Sequence, residues 1–185
     1  MTLASYISCL RIVLIVPIIY SLDKGLWLEA SSFYNYLALV LFVVAGLTDY
    51  LDGYIARKTD TETKLGALLD LIADKLLVSL VMVWMVFLTH DSLIVIPALI
   101  IVSRELVIST LRQYVIEKKV KQNLGVSFIG KSKTTIQIIA ISTLILAQEI
   151  NDIWLFSIIA IWFAAIFSFY SLLTYVSDWF KHYLN

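Results

Sequence analysis

Six long apolar stretches run through this 185-residue chain, at roughly 5–22, 33–56, 65–89, 92–116, 132–149 and 152–178. Each is long enough to cross, or nearly cross, a lipid bilayer. In hydrocarbon every backbone N–H and C=O has to find its partner within the protein, and helices satisfy that need inside a single segment. With 61% hydrophobic and 15% charged residues, there is too little polar surface to cover a water-soluble domain of this size. The expected fold is therefore all-α: a polytopic membrane protein built as a six-transmembrane-helix bundle, with residues 1–185 forming one domain. No repeat, low-complexity segment or linker divides it. The first stretch is expected to be a membrane helix rather than a cleaved signal. Arg11 interrupts it, no basic leader precedes it, and no small-residue cleavage site follows. A single cysteine, Cys9, excludes an internal disulfide and a cysteine-based metal cluster.

The net charge is zero, but the charges are unevenly placed. Arg57, Lys58 and Lys64 lie between the second and third stretches. Lys118, Lys119, Lys121, Lys131 and Lys133 lie between the fourth and fifth, and Lys181 follows the sixth. On the other side only Lys24 accompanies Asp23, Glu29, His90, Asp91, Glu149 and Asp152. The alternation holds at every connection, so the basic side, with both termini, is expected to face the cytoplasm. Pro17 and Pro97, inside the first and fourth stretches, read as tolerated kinks.

Against this apolar background, Asp49, Asp52, Asp70, Asp74, Lys75, Arg104, Glu105 and Arg112 stand beside or within membrane stretches. A charge at a helix centre costs about 2.5–3.5 kcal/mol even on the lower scales, so these residues require a polar cavity or counter-charges. Asp49, Asp52, Gly53 and Ala56 share one helix face, and Gly66, Asp70 and Asp74 share another. Two neighbouring antiparallel helices would then direct four carboxylates at each other. All four cannot stay ionised without something positive among them. Oxygen ligands without His or Cys suit a hard divalent ion, Mg²⁺ or Mn²⁺, and four carboxylates can hold two. Such a pair, roughly 3.5–4 Å apart, promotes in-line displacement at phosphorus. Gly53, Ala56 and Gly66 leave room for close approach of a helix or a nucleotide, and Arg57 offers a planar fork for a phosphate oxygen. On charge alone, an ion-coupled transporter or proton relay explains the aspartates equally well.

Residues 49–74 read DYLDGYIARKTDTETKLGALLDLIAD and resemble the signature of the CDP-alcohol phosphatidyltransferase family, D-x2-D-G-x2-A-R-x8-G-x3-D-x3-D. All of its fixed positions are present, as Asp49, Asp52, Gly53, Ala56, Arg57, Gly66, Asp70 and Asp74. The resemblance implies that Asp49, Asp52, Asp70 and Asp74 bind two divalent ions, and that Asp74 also takes the proton from the acceptor hydroxyl. It implies that Asp52, Gly53, Ala56, Arg57 and Gly66 bind CDP-diacylglycerol, with Arg57 at the diphosphate. The implied reaction is attack by an alcohol on the phosphorus carrying the lipid, with CMP leaving. A six-helix membrane domain, a homodimer and a cytoplasm-facing pocket in a bacterial inner membrane come with it; no nucleic-acid partner is expected.

The acceptor has to be read from the rest of the chain. Arg104 and Arg112 lie about 80° apart around the fourth helix, and Lys131 and Lys133 open the fifth in GKSKTT. A cationic pocket beside the metals suits an acceptor that carries its own phosphate; for either lysine alone, topology anchoring or head-group contact is an equal account. The stretches SRELVISTLR (103–112) and SFIGKSKTT (127–135) are similar to the branch of the family whose acceptor is glycerol 3-phosphate, which implies that Arg104, Arg112, Lys131 and Lys133 hold that phosphate. Inositol phosphate, serine and phosphatidylglycerol stand as alternative acceptors. Two departures from the family pattern are Leu71, where a proline is usual, and SYISCLR at 5–11; neither removes a metal ligand. Arg11 reads most simply as a snorkelling membrane anchor. Glu105, about 100° around the helix from Arg104, is expected to pair elsewhere. His90 and His182 receive no role.

Overall fold

The computed structural model of the protein describes residues 3–27, 31–59, 64–117 and 128–183. All regular structure among them is helical. The long helices are α1 (Leu3–Leu22), α2 (Ser32–Thr59), α3 (Lys64–Thr89), α4 (Ser92–Glu117), α5 (Phe128–Ala147) and α6 (Trp154–Tyr183). A π-helical turn, Asp23–Trp27, extends α1, and a single 3-10 turn, Asn151–Ile153, precedes α6. Pro17 and Pro97 are accommodated without ending α1 or α4. Between α3 and α4 the chain reverses on His90, which adopts a left-handed backbone (φ 50°) and donates its N–H to Val86 O at 3.1 Å. Asp91 then caps α4, accepting the Leu93 N–H on Oδ1 at 2.8 Å, which satisfies one of the orphan donors of a helix start.

Among the described residues, four segments are long and apolar enough to span a membrane: Tyr6–Leu26, Leu68–Thr89, Ser92–Leu111 and Asn151–Ser177. On α2 and α5 the apolar segments among the described residues are shorter, Ser32–Thr48 and Lys133–Ala147. The six stretches expected from the sequence thus appear as six helices, four of which carry a span-length apolar segment among the described residues.

Side-chain bonds between helices give their directions. Leu93 and Arg104 of α4 meet Trp162 and Ser171 of α6, so these two helices run parallel. Gln137 of α5 meets Ser168 of α6, and Asn35 at the start of α2 meets Glu149 beyond the end of α5, so both pairs are antiparallel. Phe42, Met82, Met85, Ile101, Ile141, Leu144, Ile145 and Ile161, from α2 to α6, are fully buried in one shared core. On α6 the inward face repeats at helical spacing through Ser157, Ile161, Ala164, Ala165 and Ser168, while Leu155, Ile159, Phe163, Ile166 and Tyr170 point outward. Outward apolar faces also cover α1, α2 and α4, with Val16 70% exposed. Such a surface would aggregate in water and is the surface of a multi-pass membrane protein.

Candidate active site

The antiparallel layout gathers the unusual charges at one end of the bundle: the first half of α3, the second half of α4, the start of α5 and the second half of α6. Lys75 of α3 donates to Ser109 Oγ of α4. Lys133 of α5 forms an ion pair with Glu105 of α4. Arg104 approaches the same carboxylate, Nη1 lying 3.4 Å from Oε1 and 3.5 Å from Oε2, and donates from Nη2 to Ser171 Oγ of α6 at 2.9 Å. Arg104, Glu105, Lys133 and Ser171 are all buried, Lys133 to 4% exposure. The charges of Arg104, Asp74 and Lys75 all act on Lys133. Lys133 and Arg104, expected at the acceptor phosphate, therefore lie within electrostatic range of Asp74, the aspartate expected to take the proton.

Beside this cluster lies a second ion pair. Arg11 of α1 donates from Nη1 to Asp70 Oδ1 of α3 at 3.3 Å; its side chain is 0% exposed, that of Asp70 45%. Arg11 is thus no snorkelling anchor. A snorkelling guanidinium reaches water past its own stem, whereas this one is enclosed between helices and answers a carboxylate. Glu105 pairs across to α5 as expected, but it also meets Arg104. The 100° between neighbouring helical positions separates Cβ directions, and a long arginine side chain can span that separation.

Asp70 and Asp74 are one turn apart on α3 and both are partly accessible, while Gly66, a further turn back, is buried. Two accessible carboxylates at this spacing fit a hard divalent cation, which takes oxygen ligands and retains water. Among the described residues no group of three or more His, Cys, Asp or Glu comes together. Asp49, Asp52, Gly53, Ala56 and Arg57 are placed on α2 by its backbone, but their side chains lie outside the described residues, as do those of Arg112 on α4 and Lys131 on α5. Ser109 and Ser171 went unnoticed in the sequence, where a lone serine in an apolar helix is common and carries no signal. Lys75 was visible as a charge beside Asp74, yet its partner on α4 depends on how α3 and α4 are rotated.

An apolar bundle enclosing a cluster of charges at one end defines the chain as a multi-pass membrane protein with a buried polar site. The family model for CDP-alcohol phosphatidyltransferase matches residues 1–170, and the chain belongs to that family. It is similar to proteins named CDP-diacylglycerol–glycerol-3-phosphate 3-phosphatidyltransferase in three bacteria. The Haemophilus influenzae protein is 39% identical over 149 residues, 80% of this chain and 78% of its own length. That of Wigglesworthia glossinidia brevipalpis is 39% identical over 145 residues, 78% of each chain. The Escherichia coli K12 protein is 38% identical over 142 residues, 76% of each.

Proposed function

We propose that this chain transfers the phosphatidyl group of CDP-diacylglycerol to glycerol 3-phosphate, giving phosphatidylglycerophosphate and CMP. The observation that supports the reading is the buried Arg104–Glu105–Lys133 cluster between α4 and α5, which lies within electrostatic range of Asp74 on α3. Relatives 38–39% identical over about three quarters of the chain bear the corresponding name.

In this reading the acceptor phosphate binds Arg104, Arg112, Lys131 and Lys133, and that anchorage brings the acceptor hydroxyl to Asp74. Asp74 accepts the hydroxyl proton as the oxygen bonds to the lipid-bearing phosphorus; the bond from that phosphorus to CMP breaks, and CMP leaves with the electron pair. Asp52, Gly53, Ala56, Arg57 and Gly66 hold the CDP-diacylglycerol head, Arg57 through its diphosphate. Asp49, Asp52, Asp70 and Asp74 would hold two divalent ions, Mg²⁺ or Mn²⁺, which would supply neutralisation of the diphosphate charge. The architecture proposed around this site is a single domain of six spans in the inner membrane of a bacterium. Both termini and the pocket face the cytoplasm, and the enzyme is a homodimer.

The deciding experiment is incorporation of radiolabelled glycerol 3-phosphate by purified protein supplied with CDP-diacylglycerol, with CMP release followed in parallel. Activity is expected with Mg²⁺ or Mn²⁺, lost with EDTA and restored by either ion. Asp74→Asn should lower turnover by about 10²–10⁴-fold. Strong use of inositol phosphate, serine or phosphatidylglycerol without glycerol 3-phosphate would sink the acceptor assignment. Ion flux without CMP release would sink the reaction class.

A further inference from the structure

Neither the signature nor the acceptor-phosphate positions give Glu105 a task. It is nonetheless the residue on which the buried cations converge. Lys133 reaches it from α5, and Arg104 stands 3.4 Å from it on its own helix. A third cation, Lys75, adds its charge to the same space. In a low-dielectric pocket, three neighbouring cations repel one another strongly, and a buried charge is tolerated only when paired and hydrogen-bonded. Before any anion arrives, something has to hold Arg104 and Lys133 at a common point. Glu105 does so for both, while Ser171 of α6 fixes the other end of the Arg104 fork, with Nη2 donating to Oγ at 2.9 Å.

We propose that Glu105 is a positioning residue for the acceptor phosphate, a built-in counter-ion that presets Arg104 and Lys133 so that a phosphate dianion meets two cations already in place. The proposal rests on the reading of these cations as the acceptor-phosphate site. Preorganisation of this kind favours binding by removing the cost of ordering flexible side chains in the complex. It also explains why a carboxylate stands here rather than an amide. A glutamine would keep the shape, but its NH₂ could turn toward the donors of Arg104 and Lys133, and it would withdraw the negative charge that touches both.

The test is steady-state kinetics of the full-length protein in detergent, varying glycerol 3-phosphate and CDP-diacylglycerol separately. Glu105→Gln should raise the KM for glycerol 3-phosphate by about tenfold or more, the scale of one lost charge-assisted contact, and leave the KM for CDP-diacylglycerol unchanged. Glu105→Asp should recover part of the loss. Ser171→Ala should shift the same KM in the same direction by a smaller factor. Protection by inorganic phosphate against thermal unfolding gives a readout independent of turnover, and should be present in the wild type and lost in Glu105→Gln. An unchanged glycerol 3-phosphate KM would overturn the proposal, as would reduced turnover and stability with both KM values unchanged. If Glu105→Gln does not fold, the Asp and Ser171→Ala variants decide by the same criterion. A wild type that is protected by phosphate but does not use glycerol 3-phosphate would overturn the acceptor reading; loss of that protection in Glu105→Gln would still support the role of Glu105.

Discussion

A guanidinium with no exposed side-chain surface must have its charge answered inside the protein, and in Arg11 the answer includes Asp70. The two partners are unequal: Arg11 is enclosed, while Asp70 keeps nearly half of its side chain accessible. Removing the carboxylate withdraws a counter-charge from an enclosed cation, whereas removing the cation leaves a carboxylate that water can reach. Asp70→Asn should destabilise the protein by about 1.5–3 kcal/mol, the scale of one hydrogen bond to a charged group, and Arg11→Gln by less. Thermal unfolding in detergent without divalent ions reads this difference apart from any effect on metal binding. Equal losses would contradict the burial argument. A proposed metal ligand is thus already engaged on one oxygen by α1, and the unusual segment at 5–11 acquires a structural task through Arg11.

Among the helices, α2 and α5 approach closely where glycine allows it. A Cβ placed on Gly46 would lie 2.8 Å from Ile138 Cδ1 and 3.3 Å from Ile138 Cγ1 and Cγ2. A β-branched residue there has to displace the Ile138 side chain or push α5 away, and overpacking of this sort costs about 1–3 kcal/mol. Gly46→Val should lower the unfolding temperature. It should also lower turnover, because Gly46 lies one turn before Asp49 and Ile138 about one turn after Lys133. Pairing it with Ile138→Ala should restore part of both. At the other end of the same two helices, Asn35 donates to Glu149 at 2.5 Å, and Gly25 packs directly on the Asn35 amide. Gly25→Ala should loosen that end and reduce stability while leaving the KM for either substrate unchanged, since no charged residue of the pocket lies there.

Taken as a whole, the molecule places its charged pocket at one end of the bundle and the Asn35–Glu149 contact at the other. Cysteine labelling tests the proposed orientation. In a Cys9→Ser background, a cysteine at Asp152 should react with a membrane-impermeant maleimide in intact cells, and one at Lys121 only after permeabilisation. The reverse pattern would invert the topology. Much of this architecture was legible in the chain itself. Apolar length determines that segments are helical and membrane-bound, because lipid offers the backbone no other partner. Spacing determines that Asp70 and Asp74 share a face, because the helix repeat does not depend on what surrounds it. The full signature at 49–74 made the family recognisable. What the one-dimensional pattern could not contain was the rotation of each helix about its axis, which follows from the joint packing of the core. That rotation encloses Arg11 against Asp70, brings Lys75 to Ser109, and gathers Arg104, Lys133 and Ser171 around Glu105. These partners lie up to 67 residues apart in sequence, and only the packed bundle brings them within reach of a bond.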